Sequence, residues 1–177
     1  MVDLSVISDD EFVPRRPATG DQLLSSSGLI EVSDILAGIA RERRDRLYRA
    51  ESAAEIIRRS GSYRWVGIYD ISADDACVFA WTGQEPPAFV RFPLGPGLTG
   101  EAVRTRATVV ANDVVNDPRY LTAFAGTRSE IIVPVFDAGG LHVVGTIDVE
   151  SEKLDAFAAR DQRLLERCAA ALAPLWE

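Results

Sequence analysis

The sequence is poor in the residues from which redox and metal sites are usually built. Its 177 residues include two cysteines and one histidine. Cys77, in "ACVFAW", and Cys168, in "LLERCAAAL", stand among apolar residues at strand and helix spacing, so we expect both to be buried, inert thiols. The sequence has no Cys-x-x-Cys pair and no nucleophile elbow, and "GPGLTG" lacks the lysine of a phosphate-binding loop. We therefore expect no metal and no cofactor.

The chain also lacks an excess of basic residues and a long apolar run. Its 27 acidic and 19 basic residues give a net charge of −8, which argues against general binding to nucleic acid or to an anionic membrane surface. No apolar run is long enough to cross a membrane, and "MVDLSVISDDEF" at the start does not form a secretion signal. We expect a cytoplasmic protein with one hydrophobic core.

Composition divides the chain into an arm and a domain. Residues 1–28 are rich in Asp, Pro, Ser and Gly without a sustained period, which predicts a flexible arm, and residues 29–177 are predicted to form a single domain. Apolar residues three and four positions apart predict one helix from Leu29 to Arg59 and another that ends near Pro174. The segments between them alternate short apolar strands with turn residues, and one short helix follows "GPG". This order indicates an α+β fold with mostly antiparallel strands.

The predicted strands are apolar on both faces. In "RWVGIYDI", Val66 and Ile68 point to one face of the sheet, while Trp65 and Tyr69 point to the other. The terminal helices can cover only one face, so the loops between residues 82 and 129 must cover the other, and a sheet covered by loops encloses a pocket. Pro134 has no N–H group to donate, which indicates an edge position or a bulge in its strand.

Acidic residues stand at the ends of the two strands of the clearest hairpin, "EIIVPVF" and "LHVVGTIDVE". Asp148 and Glu150 share one face because side chains alternate along a strand. A three-residue loop at Ala138–Gly140 would place Glu130 opposite Asp148 and Arg128 opposite Glu150. Like charges that face each other destabilise a hairpin, so the cluster needs a partner.

Two interpretations of this cluster are open. In the structural one, Arg128 neutralises Glu150 and solvent reaches Asp148. In the functional one, the acids bind a cationic group such as an ammonium, and Trp65 and Tyr69 supply aromatic faces that attract cations. A two-residue loop would put Glu130 out of step with Asp148. His142 lies about 20 Å along the strand from Asp148, so the two cannot share a metal ion.

Several blocks of the sequence resemble, in order, those of a GAF domain: "RWVGIYDI", "FPLGPGLTGEAV", "VVANDVVNDPRY", "TRSEIIVPV" and "VVGTIDVESEKLDAF". The resemblance extends from about residue 30 to 175. It implies an antiparallel sheet of about six strands, with the terminal helices on one face and a small-molecule pocket under loops on the other. This architecture agrees with the one expected from the apolar pattern.

Within this class, the chain most resembles the free methionine-(R)-sulfoxide reductases, whose pocket holds the amino group of a free amino acid between acidic and aromatic residues. The resemblance places those roles on five residues, with Glu150 in place of an aspartate: Trp65, Tyr69, Glu130, Asp148 and Glu150.

The cysteines of these reductases have no counterpart in this sequence. Their positions correspond to Phe89, Thr99 and Ala123. Sulfoxide reduction needs a thiolate and a second thiol that resolves the sulfenic acid, so we expect this chemistry to be absent.

Three functions follow as hypotheses. We predict a non-catalytic sensor or regulatory domain that binds a small molecule, either a free amino acid or another ammonium compound. The second is a diverged reductase-like enzyme. The third is a structural module that forms a homodimer through its terminal helices and whose pocket is vestigial. Cyclic nucleotides are disfavoured because the acidic residues would repel a phosphate.

Overall fold

A computed structural model describes residues 28–121 and 124–177. The predicted arm therefore lies almost entirely outside the described residues, as does Ala123. The described chain contains a six-stranded antiparallel sheet in the order β3-β2-β1-β6-β5-β4. The strands are β1 Trp65–Ile71, β2 Asp75–Gly83, β3 Arg91–Pro93, β4 Val109–Ala111, β5 Ser129–Phe136 and β6 Val143–Ser151. The α+β prediction is confirmed.

The first predicted helix is two helices. Helix α1 spans Gly28–Ala40 and α2 spans Arg46–Gly61. The chain breaks at "RERRD" because this stretch has no apolar residue to bury, and because the Asp45 side chain caps α2 by accepting a hydrogen bond from the Tyr48 backbone N–H at 2.9 Å. The other helices are α3, Leu98–Thr105, and α4, Ala159–Leu172, which continues as a 3₁₀ turn at Ala173–Trp176. Within the described residues, no helix is both long enough and apolar enough to span a membrane.

Helices α2 and α4 pack on one face of the sheet, α1 packs against these two helices, and together they form the main core. Alternate residues of β1, β5 and β6 reach this core, which also takes the apolar stripes of the three helices. The strand residues include Val66, Ile68, Ile131, Val133, Ile147 and Val149. The opposite face carries Trp65 and Tyr69 with Phe124 from a loop. The predicted division of β1 between the two faces is confirmed.

The predicted register of the β5–β6 hairpin is wrong by two residues. Glu130 pairs with Glu150, and Ile132 pairs with Asp148. The connection is longer than three residues because Asp137 closes it: its N–H donates to the His142 carbonyl at 2.9 Å, and its Oδ1 accepts from the Leu141 N–H at 2.7 Å. A shift of two residues preserves the alternation of faces, so the acids still share one face.

Pro134 and His142 lie at the margins of the strand pairing: Pro134 pairs with Thr146 in β6 but not with β4, and His142 precedes β6. Pro134 is beyond the last residue of β5 that pairs with β4, which is Ile132, so the predicted edge position is confirmed. His142 is exposed in the connection rather than in β6.

A polar cluster holds the C-terminal turn against the sheet. The indole Nε1 of Trp176 donates to Asp70 Oδ1 at 2.7 Å, and the Arg46 guanidinium donates to both oxygens of the same carboxylate. Arg46 also lies 4.1 Å above the centre of the Phe79 ring. These contacts join α2, β1 and the end of the chain on the helix side of the sheet.

Candidate functional site

A cavity of about 480 Å³ opens on the face of the sheet opposite the helices. Its floor consists of Tyr69 from β1, Glu130 from β5, and Asp148 and Glu150 from β6. Residues 87–100, which include β3 and the first turn of α3, form one wall, and Leu121 and Phe124 belong to the other. The sheet is therefore covered by loops on this side, as the sequence predicts.

The three acidic residues form one buried cluster. Only 7% of Glu130, 6% of Asp148 and 1% of Glu150 is exposed. One carboxylate oxygen from each residue lies within 4.8 Å of the others, which is close enough for the three to surround a single cation. The cluster arises because Asp148 and Glu150 are two positions apart on β6 and Glu130 is the cross-strand partner of Glu150.

Burial changes the protonation of the cluster. Removal from water raises the pKa of Glu130 and that of Asp148 well above their ordinary values, and the negative charge of Glu150 adds to both effects. Glu130 and Asp148 are hydrogen-bonded, and this bond raises the pKa of Glu130 and lowers that of Asp148. The bond therefore favours Glu130 as its donor and Asp148 as its acceptor.

Glu150 has a different environment. Burial raises its pKa to about 7, while a hydrogen bond donated by the Thr127 hydroxyl and the positive charge of Arg64 limit the rise. Arg128 is exposed, and its backbone N–H donates to the Ser151 carbonyl. The expectation that Arg128 neutralises Glu150 and that solvent reaches Asp148 is thus wrong, because Arg64 and Thr127 take that role and Asp148 is buried.

Three buried polar atoms on the strands of this face have no hydrogen-bond partner among the described residues. They are Asp148 Oδ1, in the floor of the cavity, Thr146 Oγ1 and Trp65 Nε1. A buried acceptor without a donor costs about 1–3 kcal/mol, and more when it is charged. Asp148 therefore favours a ligand that donates a hydrogen bond or carries positive charge.

The aromatic residues of the site are placed only partly as predicted. Tyr69 lines the cavity, with Phe92 packed against it edge-on at 5.6 Å between ring centres. Trp65 does not line the cavity, and its ring packs 5.4 Å from that of Phe124, which does. Gly67 is needed beneath Trp65, because a Cβ atom there would lie 2.2 Å from the indole ring. Of the two aromatic residues predicted for the site, Tyr69 is therefore part of the cavity lining and Trp65 is not.

Phe124, Thr127 and Arg64 belong to the surroundings of the candidate site and were not found from the sequence. Phe124 and Thr127 lie in an irregular loop where no periodicity assigns a direction to a side chain. Arg64 precedes β1 and pairs with Glu152, 88 residues later in the chain. Only the folded chain brings these residues to Glu150.

The two described positions that the resemblance assigns to reductase cysteines lie at the cavity. Thr99, in the first turn of α3, is buried, and Phe89 is 53% exposed; both line the cavity. Cys77 in β2 is half-buried rather than buried as expected. Cys168 in α4 is fully buried, which raises the pKa of its thiol to about 12. Neither cysteine lines the cavity.

The sequence and the fold match known proteins. The GAF domain profile matches residues 50–177. The chain is 25% identical over 130 residues to GAF domain-containing protein A of Dictyostelium discoideum, an alignment that covers 73% of this chain and 80% of that protein.

The solved structures that are similar to this one include two free methionine-R-sulfoxide reductases. A type II free methionine-R-sulfoxide reductase from Thermoplasma acidophilum is 33% identical with a TM-score of 0.68, and the match covers 79% of this chain and 94% of that chain. A free methionine-R-sulfoxide reductase from Neisseria meningitidis, in complex with its substrate, is 27% identical with a TM-score of 0.77. This match covers 88% of the present chain and 93% of the reductase chain.

Proposed function

Because the chain belongs to the GAF domain family and is related to free methionine-R-sulfoxide reductases, we propose that it is a non-catalytic sensor that binds an ammonium compound, such as a free amino acid. The observation that carries this proposal is the cluster of three buried carboxylates, whose oxygens lie within 4.8 Å of one another at the floor of the cavity. A cytoplasmic location stays a prediction.

An ammonium group suits this cluster for geometric and electrostatic reasons. It has three N–H donors and one positive charge, so it can donate to Glu130, Asp148 and Glu150 together. It gives Asp148 Oδ1 the donor that the described residues do not supply. The ring of Tyr69 lies at the same floor and attracts cations through its π face. Burial keeps protons on the acidic cluster, and the cation binds the charged carboxylates. Binding therefore releases these protons.

The relatives support an amino acid as the ligand. The names of the two similar reductases state that they act on free methionine-R-sulfoxide, a molecule with an α-amino group. The resemblance noted in the sequence assigns the acidic residues of this pocket to the positions that hold the amino group in those reductases. We extend the ligand class, but not the chemistry, to this protein, since the same resemblance assigns two of the reductase cysteine positions to Phe89 and Thr99, which line the cavity.

Thermal unfolding in the presence of free amino acids and simple amines tests this proposal. A ligand at about 100 times its Kd stabilises the folded state by about 2.7 kcal/mol, which raises Tm by several degrees. N-acetylated amino acids are the matched negative set, because they keep the side chain and lose the ammonium charge. Glu130→Gln and Asp148→Asn should abolish the effect. The proposal fails if no amine stabilises the protein, or if divalent cations stabilise it and amines do not.

A second candidate, a reductase-like enzyme, is favoured by the 33% identity to the Thermoplasma acidophilum protein. Reduction of free methionine-R-sulfoxide should be compared between the wild type and a Cys77→Ser, Cys168→Ser variant. If the protein is a sensor, neither the wild type nor the double variant should reduce free methionine-R-sulfoxide. Activity of the wild type that the double variant loses would instead establish a thiol-dependent enzyme.

A further inference from the structure

We propose, on the basis of the ammonium site proposed above, that the ligand is a primary ammonium compound with an extended apolar chain. The ammonium group lies in the carboxylate cluster, and the chain fills the rest of the cavity as far as Phe89 and Leu121. The size of the cavity, the chemistry of its walls and the position of its mouth support this assignment.

The cavity is larger than the cluster needs. Its volume of about 480 Å³ falls within the range of about 300–1,000 Å³ in which proteins enclose drug-sized ligands. A bare ammonium ion or a short amine would fill only the corner at Glu130, Asp148 and Glu150. The remainder must hold water or another part of the same ligand.

The walls away from the cluster favour an apolar group over water. They consist mainly of apolar side chains: Pro87, Phe92, Pro93, Leu98, Leu121 and Phe124. Apart from Tyr69 and the three acids, Arg91 is the single ionisable residue in the described lining. It is exposed and pairs with Asp75 at 3.4 Å. Water held between such walls makes few hydrogen bonds, whereas an alkyl or aromatic group gains free energy by leaving water.

Two exposed apolar side chains mark where the ligand ends. Phe89 is 53% exposed and Leu121 is 61% exposed, yet both line the cavity. Leu121 packs over the start of α3, because a Cβ atom at Gly97 would lie 3.2 Å from Leu121 Cδ1. An apolar chain that extends from the cluster to this mouth covers surface that both side chains now present to solvent.

The expected effect is a dependence of affinity on chain length. Burial of one methylene group contributes enough free energy to change Kd about fourfold. Affinity should therefore increase about fourfold with each added methylene, and stop increasing once the chain reaches the mouth between Phe89 and Leu121.

Isothermal titration calorimetry with n-alkylammonium ions from ethyl to octyl measures this dependence. Phe89→Ala and Leu121→Ala should weaken the binding of the longest ions severalfold and leave ethylammonium unchanged. Val115→Ala is the matched control, because Val115 is 73% exposed and does not line the cavity. Val115→Ala should change neither the affinity for the longest ions nor the affinity for ethylammonium.

Pairs of ligands with the same side chain show whether the ammonium group belongs to a free amino acid or to a simple amine. Phenylalanine and phenethylamine differ only in the carboxylate. Tighter binding of phenylalanine assigns the site to free amino acids, and tighter binding of phenethylamine assigns it to amines; both results support an ammonium head with an apolar chain.

Two results overturn the inference in different ways. Equal affinity for ethylammonium and octylammonium refutes the apolar chain but leaves the ammonium site intact. Absence of binding by every amine, or octanol that binds as tightly as octylammonium, refutes the proposed ammonium site itself.

Discussion

At the scale of single residues, Glu150 is a buried acid whose pKa lies near neutral pH. Burial raises its pKa from 4.5 to about 7, even though Thr127 and Arg64 stabilise its charged form. The folded protein therefore binds this proton more tightly than the unfolded chain does. A group with a raised pKa stabilises the fold fully below its unfolded value, and this contribution is lost as the pH rises through its folded value.

The first prediction concerns stability and pH. The free energy of unfolding of the ligand-free protein should fall between about pH 4.5 and about pH 7, with up to about 3 kcal/mol attributable to Glu150. Glu150→Gln should flatten this part of the curve, as measured by urea unfolding at a series of pH values. Glu42→Gln, at an exposed carboxylate, is the control and should leave the curve unchanged. A wild-type stability that rises over this interval would contradict the prediction.

The second prediction concerns the hydrogen bond from Thr127 to Glu150. Thr127→Val keeps the shape of the side chain and removes the donor, so the pKa of Glu150 should rise above about 7. The pH at which amine binding becomes strong should move up with it, because the cation binds the charged form. NMR titration of the glutamate carboxyl carbons measures the shift. An unchanged midpoint would show that Thr127 does not act on Glu150.

At the scale of secondary-structure elements, the 3₁₀ turn after α4 lies directly on β6. A Cβ atom at Gly145 would be 2.1 Å from the Trp176 indole ring, which also donates to Asp70 in β1. The phenylalanine Phe79 in β2 meets the same indole edge-on at 5.8 Å between ring centres. The turn can approach the sheet this closely only because β6 has no side chain at Gly145.

The third prediction compares two glycines. Gly145→Ala should destabilise the protein by about 1–3 kcal/mol, because the indole must move and lose its contacts with Asp70 and Phe79. Gly38→Ala, in α1, meets no atom within 4 Å and should stabilise it by about 0.5–1 kcal/mol through helix propensity. Urea unfolding measures both. Effects of the same sign would show that the packing of Trp176 does not limit residue 145.

At the scale of the whole molecule, the outer surface of the terminal helices carries exposed apolar side chains. Ile35 on α1 is 45% exposed, and Leu47 and Tyr48 at the start of α2 are 50% and 43% exposed. The core contacts of both helices are made by other residues, such as Leu36 and Ile57. We propose that this surface joins two copies of the chain, in line with the homodimer expected from the sequence.

The fourth prediction tests this dimer by size-exclusion chromatography with light scattering. The wild type should be dimeric, and Leu47→Glu should convert it to a monomer because the interface would bury an unpaired charge. Leu154→Glu is the control, since Leu154 is 46% exposed and lies after β6 rather than on the helices. A monomeric wild type would refute the dimer without affecting the ligand site.

Local sequence patterns predicted the helices and strands well, but they predicted helix ends and strand register less well. Alternation in "WVGIYDI" assigned the faces of β1 correctly, because the direction of a side chain in a strand depends only on its own position. The single helix predicted from Leu29 to Arg59 was wrong at "RERRD", because this stretch has no apolar side chain to bury and Asp45 caps a new helix there. The hairpin register was wrong because it depends on hydrogen bonds of the connection, made by Asp137, that composition does not reveal.

The sequence alone determined the α+β architecture, the covered pocket and the shared face of Asp148 and Glu150, since each follows from periods of side chains along the chain, whereas the position of Glu130 depended on the hairpin register that the structure supplied. The tertiary structure decided which oxygens meet, that Arg64 and Thr127 rather than Arg128 stabilise Glu150, and that Phe124 packs on Trp65. These contacts join residues far apart in the chain. Their geometry and burial, and hence the raised pKa values of the cluster, exist only once loops and sheet are packed together.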